Sequence, residues 1–128
     1  MAARSAIVEQ LYDHFATGDI DGLMRHASSG VTLTQDARLP WGGRYVGRDG
    51  VIEFGLKLAT TVDTTVVPER LFEAGDTVVQ IGRSRGTIRS TGASYDIPEC
   101  HVWTFCDDKV VDVQMFIESD TILDLLQR

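Results

Sequence analysis

The chain has 128 residues, 43% of them apolar, and its 12 basic and 19 acidic side chains give a net charge of −7. That length suits one domain over residues 1–128, large enough to bury a core without disulfide or metal staples. The acidic balance argues against nucleic acid as a partner, because phosphate contacts need a basic field. No apolar run approaches the ~20 residues of a membrane span, which excludes a helical membrane protein.

The N-terminal residues leave no room for a signal-peptide core before Glu9, so a cytoplasmic location is expected. The two cysteines point to the same compartment. Cys100 and Cys106 fall in one strand-like run, where six extended residues span about 20 Å. A disulfide needs Cα atoms about 5.5 Å apart, so both thiols are expected free, with Cys100 on the face opposite His101. No HExxH or HxH occurs, and no two histidines share a ligand spacing. Neither a metal nor a cofactor is expected.

The first segment, Ser5 to Thr17, places Ile7, Val8, Leu11, Tyr12 and Phe15 on one helical stripe. Ser5 is the expected N-cap and Gly18 the stop. Asp19 caps a second helix through about Ala27, with Ile20, Leu23 and Met24 inward, and Ser28-Ser29-Gly30 breaks it. Val31 to Asp36 alternates as a strand, Arg38 to Gly47 reads as a loop, and Arg48 to Val62 as a third helix. The period then changes to two. Strands are predicted over Thr64 to Ala74, Thr77 to Arg89, Tyr95 to Phe105 and Lys109 to Glu118. Pro68 means that the first of these lies at a sheet edge or starts late. Ser119 is the expected cap of a last helix, Asp120 to Gln127. Helices first and a meander of hairpins after them predict an α+β fold, with helices packed on one face of a curved antiparallel sheet.

Three stretches carry a family resemblance: ATGDIDGLMRH (Ala16 to His26), GRYVGRDGVIEF (Gly43 to Phe54) and HVWTFCDDKVVDVQMF (His101 to Phe116). They resemble the SnoaL-like branch of the nuclear-transport-factor-two-like superfamily, which includes polyketide cyclases, ketosteroid isomerases, scytalone dehydratases, epoxide hydrolases and plain binding proteins. The resemblance implies a cone-shaped α+β barrel around an apolar pocket, usually in a homodimer. It also implies where ketosteroid isomerase chemistry would sit, and this chain departs from that pattern. Gln35 stands at the place of the base Asp, with Asp36 adjacent but on the opposite face of a regular strand. Leu11 stands at the place of the oxyanion Tyr, with Tyr12 one residue on. His101 stands at the place of the protonated Asp.

Fold cannot settle function, so the pocket residues must. Glu99, His101 and Trp103 alternate on one strand face about 7 Å apart. A histidine in an apolar pocket titrates near neutrality and serves as general acid or base, or stays a hydrogen-bonded core residue. Both readings stay open for His101. Trp41 and Tyr45, flanking Gly42-Gly43, either stack on a planar ligand or plug the cone. Tyr12 is a ligand contact or a satisfied core tyrosine. Phe54, Leu58, Val113, Met115 and Ile117 are expected to wall the pocket. Arg83 either lies on a solvated strand face, pairs with acidic neighbours, or points inward to a substrate anion. His14 and His26 are read as structural or exposed. The leading function is therefore a cofactor-independent isomerase, cyclase or dehydratase acting on a small apolar carbonyl or polyketide-like metabolite. The alternatives are a non-catalytic binding homodimer and a dimeric interaction module.

Overall fold

The computed structural model describes residues 3–127, so the first two residues of the stretch read for export lie outside it. Helix α1 (Arg4–Thr17) buries Ile7, Val8 and Leu11 and ends at Gly18, whose left-handed backbone (φ 70°) lets its N–H reach the His14 and Phe15 carbonyls. It starts earlier than the sequence suggests. The N-cap is Ala3, not Ser5, because the Ile7 N–H already bonds the Ala3 carbonyl at 3.1 Å. Helix α2 (Ile20–Arg25) is capped as expected, the Asp19 side chain accepting the Gly22 N–H at 2.9 Å. It stops at Arg25 because Ala27 already pairs with the last strand.

Strand β1 (Ala27–Gln35) runs through Ser28-Ser29-Gly30 rather than starting after it, with a register break between Ala27 and Thr32. The expected loop holds a short strand, β2 (Gly43–Val46), antiparallel to β1. Helix α3 (Gly47–Thr61) follows and buries Val51 and Phe54. The meander then comes as read: β3 (Val62–Ala74), β4 (Thr77–Ile88), β5 (Ser94–Cys106) and β6 (Lys109–Ile117). Helix α4 (Ser119–Leu126) closes the chain, with Glu118 rather than Ser119 at its N-cap and Thr121 Oγ1 donating to the Glu118 carboxylate.

The six strands form one open sheet in the order β2-β1-β6-β5-β4-β3. Every pairing is antiparallel except β1 with β6, which is parallel because the helices return the chain to the same end of the sheet. Strand β3 does not start late but lies at an edge, where Pro68 is tolerated, and the register shifts between Pro68 and Arg70. Alternation along β4 and β5 turns Val78, Gln80, Ser84, Ile97, Glu99, His101 and Phe105 toward the helices. The helices cover this face, and Leu11, Val31, Val78, Phe105 and Ile122 are all at most 2% exposed. Each such side chain contributes about 2 kcal/mol by leaving water.

Candidate functional site

Between the sheet and α1, α2 and α3 lies a cavity of about 370 Å³. Leu11 and Phe15 from α1, Phe54 and Leu58 from α3, and Val113, Met115 and Ile117 from β6 make most of its wall apolar. Tyr12, Gln35, Trp41, His101 and Trp103 complete it with polar atoms.

Four expected site residues stand elsewhere. Asp36 turns away from the cavity and pairs with Arg38 at 2.7 Å; hydrogen bonds from Arg38 hold its carboxyl far below the usual range. Arg83 lies on the outer face and bonds Asp96 at 2.5 Å, which removes it as an inward anion binder. Tyr45 is buried against Phe54, and its hydroxyl donates to the Trp41 carbonyl at 2.9 Å, so it braces the loop behind Trp41 instead of meeting a ligand. Glu99 is on the inward face of β5 but sits behind His101, its side chain fully buried.

Gln35 and Trp41 are fixed by each other, the indole Nε1–H donating to Gln35 Oε1 at 2.8 Å. With its carbonyl oxygen turned to Trp41, Gln35 still has two N–H donors to offer. Trp41 is 2% exposed and serves as a wall, not as a surface platform.

The main polar cluster joins α1 to β4 and β5. Trp103 Nε1–H donates to the Tyr12 hydroxyl at 3.1 Å, and Gln80 Nε2–H donates to the same oxygen at 3.0 Å. Both nitrogens are obligate donors, so both lone pairs of the phenol oxygen are taken. The Tyr12 hydrogen must therefore go to His101 Nδ1, 2.7 Å away. That leaves the neutral imidazole its hydrogen on Nε2, a nitrogen that lies 3.2 Å from Glu99 Oε2. Gln80 gives its second N–H to the same carboxyl oxygen at 2.9 Å. The result is a directed Tyr12 O–H to His101 Nδ1 bond, with the Glu99 carboxyl close to the other ring nitrogen.

Burial sets the charge of this cluster. It pushes the Glu99 carboxyl up to about 7 and the His101 imidazole down to about 4. Burial also drives the Tyr12 phenol above its ordinary value, partly offset by the hydrogen bonds from Trp103 and Gln80. Near neutral pH the histidine is neutral and Glu99 is the group that changes charge.

Gln80, which is fully buried, is the residue that sequence reasoning missed. Its signal was its place in the inward row Val78, Gln80, Gly82, Ser84. Ser84, Thr64 and Tyr95 also line the cavity and were not singled out. Both cysteines are free, and Cys100 lies on the face opposite His101, as the alternation requires. Among the described residues no helix is long and apolar enough to cross a membrane.

Comparison with known proteins places this geometry. Residues 8–113 match the SnoaL-like domain family. The chain belongs to that family. A nuclear-transport-factor-two-like protein from Burkholderia thailandensis is 28% identical over 100% of both chains, with a TM-score of 0.90. Another, from Burkholderia pseudomallei, is 23% identical over 100% of both, also at 0.90. TerC, co-crystallised with polyporic acid, is 21% identical over 98% of this chain and 100% of its own, at 0.86. No curated protein matches the sequence. The SnoaL-like fold and its cavity make this a small-molecule pocket protein.

Proposed function

We propose that the protein is a cofactor-independent enzyme that moves protons on a small, largely apolar carbonyl or polyketide-like metabolite, in isomerisation, cyclisation or dehydration. We further propose that it works as a homodimer in the cytoplasm. The observation that carries the catalytic reading is the Tyr12–His101 hydrogen bond, with Glu99 beside His101, at the wall of a largely apolar cavity.

The three groups have the logic of a hydroxyl–histidine–carboxylate triad with a phenol in front. A ligand carbonyl that recruits the Trp103 N–H frees one lone pair of the Tyr12 oxygen. A C–H proton beside that carbonyl passes to this oxygen as the Tyr12 hydrogen moves to His101 Nδ1 and the Nε2 hydrogen moves to the Glu99 carboxylate. The negative charge leaves Glu99 and appears as an enolate held by the Trp103 N–H. Running the steps backward at another carbon gives isomerisation, and attack by the enolate gives cyclisation. His101 is the proton carrier, Tyr12 the group that meets the substrate, and Glu99 the terminal base. Apolar walls select the body of the ligand, and Gln35 offers N–H donors to a second oxygen. TerC, a protein of this fold, was co-crystallised with polyporic acid, which supports a small-molecule ligand for the cavity.

A second reading has an observation of its own. The Tyr12 hydroxyl has every hydrogen-bonding position filled, as a core network has, and this favours a binding protein whose cluster only shapes the cavity. One assay separates the two. Trp41 and Trp103, the only tryptophans, both line the cavity, so intrinsic fluorescence reports occupancy. A panel of planar cyclic ketones and 1,3-diketones is titrated by fluorescence, then incubated with the protein in D2O and followed by NMR. Binding with deuterium wash-in beside the carbonyl supports the enzyme, and binding without wash-in on any member supports the binding protein.

A further inference from the structure

Two buried oxygens in this cluster have no hydrogen-bond partner: Glu99 Oε1 and Gln80 Oε1. Gln80 is fully buried and Glu99 is 4% exposed, so water does not satisfy either side chain from the surface. The partnered halves of the same two groups already face each other, Gln80 Nε2 to Glu99 Oε2 at 2.9 Å. The unpartnered halves flank one spot. A Cβ on Gly82 would lie 2.6 Å from Gln80 Oε1 and 3.0 Å from Glu99 Oε1, as well as 2.3 Å from the Val67 carbonyl oxygen. Only glycine leaves room for the amide and the carboxyl to lie side by side there.

An amide beside a carboxylic acid forms two parallel hydrogen bonds, N–H to carbonyl oxygen and O–H to amide oxygen. One of the two is in place. A single hydrogen on Glu99 Oε1 would make the other and satisfy both orphan oxygens together. Oε2 already accepts from Gln80 and lies 3.2 Å from His101 Nε2, so Oε1 is the oxygen free to carry the hydrogen.

We propose that Gln80 is the positioning residue of the proton chain, and that with Gly82 it forms a proton-holding seat for Glu99. With the seat filled, Glu99 is locked to Gln80 as a neutral acid and cannot take the His101 hydrogen. With the seat empty, Glu99 is a carboxylate and the chain is ready to accept. Gln80 also imposes the direction, because its N–H on Tyr12 forces the phenol hydrogen toward His101 Nδ1. The gating role rests on the proton-transfer reading above; the seat and the tautomer do not. The titratable groups facing Glu99 are His101 on its own strand, Tyr12 from α1 and Glu69 from β3, while Cys100 is its neighbour on the opposite face. Of these, Glu69 adds a like charge that favours the filled seat.

The test uses the intact protein without any substrate. Infrared spectra are recorded across neutrality, with Glu99→Gln as the blank. We expect one carboxylic acid C=O band that is absent from the blank and fades as pH rises. In Gln80→Met the band should move to higher wavenumber, because the acid has lost its amide partner. Nitrogen-15 NMR of the wild-type histidines should show His101 with Nε2 protonated and Nδ1 bare on both sides of the transition. No such band in the wild type, or the same band position in Gln80→Met, would overturn the seat. A protonated Nδ1 would overturn the imposed direction, and this result needs no variant to fold. If wash-in fails on every ketone while the band and tautomer appear as expected, the functional reading fails and the seat stands.

Discussion

His101 and Glu99 are neighbours on one face of β5, and burial pulls their titrations in opposite directions. For Glu99 the folded value, about 7, lies above the ordinary 4.5. The native state therefore holds a proton that the unfolded chain has released between these limits, and stability falls as pH rises through that window. For His101 the folded value, about 4, lies below the ordinary 6.5. Here the unfolded chain holds the extra proton, and stability rises with pH from about 4 to 6.5. The two slopes oppose each other in the wild type. In Glu99→Gln only the rising slope remains. Melting temperatures across this range should climb with pH more steeply in the variant than in the wild type, and parallel profiles would contradict the assignment. The inward row Glu99, His101, Trp103 is legible in the strand alternation, and Tyr12 in the stripe of α1. Their meeting is not. Tyr12 and His101 are 89 residues apart, and no local pattern states which helix residue a strand residue will bond. Asp36 and Arg83 stayed open as site candidates in the sequence for a related reason. A charged residue reads the same whether it faces a pocket or finds an exposed partner, and here Arg38 and Asp96 are those partners.

Among the elements, the strands of the meander are legible because two-residue alternation repeats over long runs, while β2 is not. It has four residues, begins at a glycine with φ 118°, and follows a loop rich in Gly and Pro. What makes it a strand is β1 alongside it, with Leu33 opposite Tyr45 and Gln35 opposite Gly43. The same loop sets Trp41 in the cavity wall, and Gly42 controls the loop. A Cβ there would stand 1.8 Å from the Asp36 carbonyl oxygen, a backbone atom that cannot swing aside. Gly42→Ala should therefore cost about 3 kcal/mol in urea unfolding, the upper part of the range for overpacking, and should weaken ligand-induced quenching of Trp41. Gly55, within α3, offers the opposite case. A Cβ there meets nothing within 4 Å, so Gly55→Ala should stabilise the protein by about 0.5–1 kcal/mol through helix propensity. The two variants measured together separate close approach from backbone freedom as the reason for a glycine.

On the scale of the whole molecule, the helices cover one sheet face and leave the other bare. Ile81, Cys100 and Phe116 are register partners in a row across β4, β5 and β6, and Ile81 is 41% and Phe116 54% exposed. An apolar row of this kind calls for a cover, and a second copy is the common one. Sedimentation should give a dimer of the 14.1 kDa chain, and Phe116→Glu should shift it to monomer while the cavity still quenches tryptophan on ligand addition; a wild-type monomer at micromolar concentration would contradict this. Burying the outer face in this way would leave the cavity on the inner face free for ligand, and the chemistry proposed there turns on His101. The decisive measurement is deuterium wash-in on the best-bound ketone of the panel, compared between wild type, His101→Ala and His101→Gln, with circular dichroism confirming the fold of each. Both variants should lose about 10²–10⁴ in rate, because glutamine keeps hydrogen bonding but cannot pass a proton. A normally folded His101→Ala that exchanges at the wild-type rate would contradict the account.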